Sequence, residues 1–230
     1  MVRDLLAVSP MSASTATSAE ADRRRMSRAE AKALAPVRDL GTRSLTAVAI
    51  LIAGLIVLAQ AFWIPVKAQI AQGLMDLAWQ RQIRLHEPQR PWPWADFTPA
   101  AKLRFPAQHT SVLALSDAAG ESLAFGPSLM AASAVPGQPG VAIFAAHRDT
   151  HFAFLGQLKA GDPVTVEMPT GPLTYRVMRT EVVRWNASGI VAHDGGTSRI
   201  ALVTCWPLDA QMHGPMRYVV WAELVSAKRA

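Results

Sequence analysis

The sequence predicts a mainly β domain, a closed barrel or a sandwich, preceded by one transmembrane helix and a juxtamembrane helix. Three observations predict this fold class. Residues 44–66 form a long, uncharged apolar segment. A helical apolar repeat follows them and ends in a stretch rich in Pro and Trp. Residues 96–230 then alternate between short apolar runs and turn sequences, which is typical of an all-β domain.

The apolar segment contains 23 residues and no charged side chain. A helix that rises about 1.5 Å per residue needs about 20 apolar residues to cross a bilayer core. A cleavable signal peptide is shorter, lies close to the N-terminus and ends in small residues. Here 43 residues precede the segment, and Phe62-Trp63-Ile64-Pro65 lies at its end. We therefore predict an uncleaved transmembrane helix over residues 44–66.

Charge placement predicts the topology of this helix. Eight basic residues precede it, whereas beyond it Lys67 is the only basic residue before Arg81. Cytoplasmic flanks carry the excess of Lys and Arg, so we expect a cytoplasmic N-terminus. Residues 1–66 hold eight basic and five acidic side chains and residues 67–230 hold fifteen and twelve, so the formal +6 divides into +3 and +3. Because the globular part is only mildly basic, we expect no nucleic-acid partner.

The segments on either side of the membrane helix differ in pattern. Residues 1–43 are rich in Ala, Ser, Arg and Met and lack apolar periodicity, which predicts a disordered basic tail. In residues 67–95, apolar positions at helical spacing predict a helix to about Leu85. Three prolines then exclude helix and indicate a strap, in which we expect Trp92 and Trp94 to pack on the domain.

Residues 96–230 are numerous enough to build a core of their own. Gly-Pro, Pro-Gly and Asp-Gly pairs separate runs of strand length or strand alternation. The predicted strands lie within residues 102–105, 112–115, 141–146, 164–168, 173–183, 200–204 and 217–222.

Cys205, the only cysteine of the chain, ends one of these strands. Exported domains generally carry cysteines in disulfide pairs, so an unpaired thiol is either inert in the core or kept for its reactivity. If the last two strands are antiparallel neighbours, Cys205 faces Arg217 with Cβ atoms about 5 Å apart. The arginine would favour a thiolate, and its N–H groups could hold a carbonyl or an oxyanion.

A thiol nucleophile needs a base, and the chain offers six histidines. His147 is the best candidate because it directly follows the predicted strand 141–146, at a strand end that can overhang a groove. His151, four residues further on, and His193 and His213, both in predicted loops, are weaker candidates, and His86 and His109 are predicted surface residues.

Three motifs surround these candidates, namely Ala146-His147-Arg148-Asp149-Thr150-His151-Phe152, Leu202-Val203-Thr204-Cys205 and Gly214-Pro215-Met216-Arg217-Tyr218-Val219-Val220. In this order they resemble the sortases, membrane-anchored cysteine transpeptidases. The strap Pro91-Trp92-Pro93-Trp94-Ala95-Asp96 is similar to the sortase class of Gram-negative bacteria. The resemblance extends from about Ile70 to the C-terminus and implies an eight-stranded closed barrel over residues 96–230.

The resemblance also implies roles for individual residues. Cys205 would be the nucleophile, His147 the acid and base, and Arg217 the group that holds substrate or oxyanion. Thr204 and Trp206 would bind substrate, and Asp149 more simply bonds backbone in its turn. Ala146 and Ala201 stand where many members have Gly and Thr, small departures that should alter fit more than chemistry.

The implied substrate is a secreted protein with a C-terminal sorting signal. The enzyme would hold the cleaved substrate as a thioester and then transfer it to an amine, which is not identified. The peptide and the amine depend on loops 186–198 and 206–216, whose shapes sequence does not determine. We expect a single-pass monomer of the inner membrane with a periplasmic catalytic domain and no cofactor.

Other functions remain open at this stage. On a helix, His147 and His151 would be spaced to bind zinc with Asp149, Asp194 or Cys205, although Arg148 beside the first histidine disfavours a metal-dependent hydrolase. A cross-linking transpeptidase also uses Cys and His, but its His-Gly-Cys cluster is absent. A non-catalytic, membrane-tethered peptide-binding domain is the third alternative.

Overall fold

The computed structural model describes residues 14–116, 122–210, 212 and 214–227. It divides into two compact units, Met1–Ile64 and Pro65–Ala230. In the first unit every described residue is helical, as part of α1 (Ser14–Leu85), and residues 44–63 are exposed. Within the described residues one stretch, Ser44–Leu85, is long and apolar enough to cross a membrane, and an 18-residue window within it has a mean hydropathy of 2.5.

The helix begins upstream of the predicted membrane segment and includes residues 14–43, for which the sequence predicts disorder. Ala and Arg are frequent here and have high helix propensity, so a helix forms without an apolar stripe. Glu20 and Arg24, one turn apart, form an ion pair at 3.2 Å on its surface.

Beyond Pro65, α1 ends at Leu85, where the sequence predicts its end. The helix carries two apolar faces in this stretch. One face is buried and comprises Ala71, Met75, Ala78 and Trp79, whereas the other leaves Ile70, Leu74 and Leu77 exposed. Met75 and Trp79 pack in one cluster with Phe97, Leu113 and Leu115, so the last turns of α1 belong to the β domain.

In the strap after α1, the predicted packing on the domain is correct for one tryptophan and wrong for the other. Trp92 packs edge-on against Phe97 and Phe125, with ring centroids 5.5 and 5.3 Å apart. Trp94 is 78% exposed, so its predicted packing on the domain is wrong. The chain turns between the two tryptophans, where the Ala95 N–H donates to the Trp92 carbonyl at 3.0 Å, so the two rings do not share one face of an extended segment.

The described residues of the β domain form a closed barrel of eight strands, which confirms the predicted architecture. The strands are β1 (Pro99–Phe105), β2 (Thr110–Ser116), β3 (Ser128–Leu129), β4 (Gly140–Ala145), β5 (Pro163–Met168), β6 (Gly171–Arg184), β7 (Ser198–Trp206) and β8 (Met216–Ala227). Around the barrel their order is β1-β2-β3-β4-β7-β8-β6-β5. All seven predicted strand segments overlap these strands, and only the two-residue β3 has no predicted counterpart.

Inward-facing side chains of these strands fill the barrel. The largest fully buried side chains are Phe105, Phe144 and Tyr175 on the strands and Phe152 in the turn after β4. The Tyr175 hydroxyl accepts the N–H of Gly137 at 2.8 Å and lies 3.1 Å from the Ser198 hydroxyl. Burial raises the pKa of Tyr175 above its ordinary value, against the opposing effect of these two hydrogen bonds. The barrel interior is therefore a packed core.

Candidate active site

Strands β7 and β8 carry the candidate nucleophile and the candidate arginine. They pair antiparallel, with Cys205 directly opposite Arg217. This confirms the predicted juxtaposition of the two residues. Strand β7 ends at Trp206 because the next residue, Pro207, has no N–H to donate to a ladder.

Strand β4 carries the candidate base to the same rim. It pairs parallel to β7, with Ala145 opposite Val203, and the Ala146 N–H donates to the Val203 carbonyl at 3.1 Å. Parallel neighbours end at the same edge of a sheet. His147, which follows Ala146, and Cys205 therefore meet although 58 positions separate them in the chain.

The meeting point is a pocket of about 400 Å³. His147 and Cys205 both line it, together with Arg148, Asp149, Leu208, Asp209 and Ala210. Cys205 is half-buried and His147 is exposed, so the candidate thiol is sheltered and the imidazole is accessible. The volume falls in the lower part of the range of about 300–1,000 Å³ that is usual for small-molecule sites.

Arg217 is half-buried and turned toward its own loop. Its Nη1 donates to the carbonyl oxygen of Gly214 at 3.0 Å and to that of Met216 at 2.9 Å. The guanidinium is therefore anchored beside Cys205 through one of its nitrogens. Arg217 is outside the group of described residues that line the pocket.

The two predicted substrate-binding residues have different surroundings. Thr204 is only 2% exposed, and its hydroxyl donates to the Ala146 carbonyl at 2.8 Å. This bond links β7 to the residue before His147, and substrate contact by Thr204 stays a prediction. Trp206 is half-buried and stacks on Tyr218, with ring centroids 5.7 Å apart and planes 20° apart. The Trp206 ring is thus held at the rim next to Cys205.

Arg148 is the residue that sequence reasoning missed. It is 8% exposed, and its guanidinium donates to the carbonyl oxygens of Pro207 and Met212, each at 2.9 Å. Both acceptors lie in the loop between β7 and β8. A local pattern does not reveal this contact, because the acceptors are backbone atoms about 60 positions away. The one available signal is the position of Arg148 beside the candidate base.

The remaining histidines separate into one neighbour of the site and several surface residues. His151 is half-buried near His147. Burial lowers the pKa of His151, and the charge of His147 lowers it further. A hydrogen bond to the Ala124 backbone has the opposite effect on this pKa. His86, His109 and His193 are exposed, which confirms the surface prediction for the first two. His213 lies outside the described residues.

The metal-site alternative finds no support in the geometry. Residues 147–151 lie in a loop and turn after β4, and a helix would be needed to bring both imidazoles to one face. In the part of the chain that the structure describes, no three His, Cys, Asp or Glu residues are grouped to hold a metal ion.

The chain is similar to known proteins in sequence and in fold. A family model described as "Sortase domain" matches residues 103–225, more than half of the 230-residue chain. Sortase D of Bacillus subtilis strain 168 is 28% identical over 91 residues, which cover 40% of this chain. The match spans 46% of that relative, less than half of its length.

Two solved structures are similar in fold. Sortase A from Corynebacterium diphtheriae superposes with a TM-score of 0.53 and 19% identity, covering 69% of this chain and 85% of that one. Sortase C-1 from Actinomyces oris gives a TM-score of 0.51 and 25% identity, covering 56% of this chain and 74% of that one.

Proposed function

This chain belongs to the sortase family, and we propose that it is a membrane-anchored cysteine transpeptidase. Its proposed substrate is a secreted protein with a C-terminal sorting signal. The observation that carries the proposal is the shared pocket of Cys205 and His147, with Arg217 opposite Cys205 on the next strand. A nucleophile, an acid and base, and a cationic hydrogen-bond donor are the groups that acyl transfer through a thioester requires.

In the first half-reaction, His147 takes the proton of the Cys205 thiol, and the sulfur attacks the carbonyl carbon of the scissile peptide bond. The carbonyl oxygen becomes an oxyanion, to which Arg217 donates after turning part of its guanidinium from the loop carbonyls. His147 protonates the departing amine, and the C–N bond breaks. A thioester on Cys205 and a free C-terminal fragment result.

In the second half-reaction, an acceptor amine attacks the thioester carbon. His147 takes the proton of the attacking amine, and the C–S bond breaks as the new amide forms. The Cys205 sulfur leaves as the thiolate and regains its proton from His147. Water in place of the amine gives hydrolysis, so the pocket decides between transfer and cleavage.

The proposal includes the domain organisation and location. Residues 1–43 would lie in the cytoplasm, residues 44–66 in the inner membrane, and residues 67–95 would join the membrane helix to a periplasmic catalytic barrel over residues 96–230. The apolar helix and the excess of basic residues before it support this orientation. The motifs around His147 and the Pro/Trp strap support membership of the Gram-negative class.

The test uses full-length protein in detergent with a mixture of fluorogenic peptides randomised at five positions, with hydroxylamine as the acceptor amine. Treatment with iodoacetamide should abolish cleavage, and treatment with EDTA should leave it unchanged. His147→Ala should lower kcat by about 10²–10⁴-fold, the usual contribution of a general acid or base, and His86→Asn, in an exposed bend after α1, should not. Full activity after alkylation, or loss of activity in EDTA, would contradict the proposal.

A further inference from the structure

Arg148 connects the two sides of the candidate pocket. Its neighbours in sequence, His147 and Asp149, line one side, and Leu208, Asp209 and Ala210 of the β7–β8 loop line the other. The Arg148 guanidinium donates across to that loop through Nη1 to Pro207 and through Nη2 to Met212. The two acceptors bracket the three loop residues that line the pocket.

These contacts fix the position of the Arg148 guanidinium relative to the β7–β8 loop. Arg148 is 8% exposed, and a cation is costly to bury unless its N–H groups are satisfied. Both observed acceptors are neutral carbonyl oxygens, so the contacts compensate the burial without neutralising the charge. The flat fork of a guanidinium can reach two fixed acceptors at once, which an ammonium group does less well.

His147 is thus held on both sides along the chain. Before it, Ala146 donates its N–H to Val203 and accepts the Thr204 hydroxyl, which fixes it to β7. After it, Arg148 is tied to the β7–β8 loop. The same loop starts two residues after Cys205, so the separation of imidazole and thiol depends on both connections.

We propose that Arg148 is a positioning residue that holds the β7–β8 loop against the His147 segment and so controls whether an amine or water resolves the acyl-enzyme. The inference rests on the proposed transpeptidase function. A loop released from Arg148 opens the pocket beside Cys205 to water. The acceptor amine then loses its ordered site, and the thioester is hydrolysed more often.

The experiment compares Arg148→Met, Arg148→Lys and the control Arg176→Met in full-length protein. Arg176 is exposed and also donates to a loop carbonyl, that of Gly161, so it matches the chemistry away from the pocket. Hydrogen exchange of the backbone amides in residues 208–215 reports on the loop without any substrate. The ratio of hydroxamate to acid formed from the peptide mixture, together with the KM for hydroxylamine, reports on the pocket.

In Arg148→Met we expect amide exchange of the loop to accelerate about tenfold for each lost charge-assisted bond. The hydroxamate-to-acid ratio should fall and the KM for hydroxylamine should rise, each by about tenfold or more. Arg148→Lys should give intermediate values, and Arg176→Met should match the unchanged protein.

Unchanged exchange and an unchanged product ratio in Arg148→Met would overturn the proposal. Should Arg148→Met fail to fold by near-ultraviolet circular dichroism, Arg148→Lys decides by the same two readouts. If the unchanged protein processes no peptide, the proposed transpeptidase function fails, and the exchange measurement still decides whether Arg148 fastens the loop.

Discussion

Cys205 on β7 and Arg217 on β8 are direct partners in an antiparallel strand pair. Opposing Cβ atoms in such a pair lie about 4.5–5.5 Å apart, so the cation is held next to the thiol by backbone register. The side chain of Arg217 is turned to the loop carbonyls of Gly214 and Met216. The register fixes the neighbourhood of the two residues, while the guanidinium bonds to its own loop.

Arg217→Ala should lower kcat/KM for peptide cleavage by about 10²–10³-fold, the usual effect of removing one oxyanion donor. Arg217→Lys keeps the charge and loses the fork, so we expect an intermediate kcat/KM. Initial rates with the peptide mixture provide the measurement. Arg184→Ala is the matched control, because Arg184 is exposed on β6 and pairs with Met216 next to Arg217. Equal kcat/KM for Arg217→Ala and Arg184→Ala would contradict a catalytic role for Arg217.

Thr204→Val should destabilise the barrel by about 1–3 kcal/mol, because the Ala146 carbonyl loses its side-chain donor in a buried place. Thr204→Ser keeps the hydroxyl and should be the more stable of the two variants. Urea unfolding followed by tryptophan fluorescence gives both free energies of unfolding. If Val and Ser variants unfold at the same urea concentration, the hydrogen bond to Ala146 does not stabilise the fold.

Trp79→Ala should lower the free energy of unfolding of the β domain by about 3–5 kcal/mol, the usual cost of removing a buried aromatic ring. Trp79 is 4% exposed in a cluster with Met75 and Phe97, whereas Leu77 on the opposite face is 48% exposed. Leu77→Ala is therefore the control and should change little. The same urea titration measures both, and similar losses for the two variants would show that α1 does not pack on the barrel through Trp79.

Stability should fall as the pH drops through about 6.5, and His151 should account for part of that fall. Burial lowers the pKa of His151 in the folded protein, so below its ordinary value the unfolded chain binds more protons than the folded one. Acid then favours unfolding, and the contribution is fully present only above the ordinary pKa. Unfolding free energies at pH 5 and pH 8 should differ less in His151→Asn. An identical pH dependence in this variant would exclude His151 as a source.

Local sequence patterns predict most strands of the barrel and one half of the candidate site, the pairing of Cys205 with Arg217. The strand alternation around Val164 and Val166 and the hairpin that sets Cys205 against Arg217 arise from residues close in the chain. The meeting of His147 with Cys205 depends on the parallel pairing of β4 with β7, for which no adjacent residues supply a signal.

The other features could not be predicted from the sequence, because they depend on backbone acceptors, on a choice between two apolar faces or on helix propensity alone. Arg148 binds carbonyl groups, which every residue carries, so its partners leave no mark on the sequence. In α1 the apolar residues form two stripes, and periodicity alone does not say that Met75 packs on the barrel while Leu74 stays exposed. Between residues 14 and 43, helix propensity favours the observed helix, although no apolar pattern predicts one.

The most direct measurement is the mass of Cys205 during turnover. Full-length protein is mixed with the randomised peptides, quenched in acid and digested for mass spectrometry. We expect an acyl adduct on the Cys205 sulfur that corresponds to the fragment before the cleaved bond, disappears on treatment with hydroxylamine and is absent in Cys205→Ala. Peptide cleavage that continues in Cys205→Ala, or that proceeds without any adduct on Cys205, would contradict the proposed thioester mechanism.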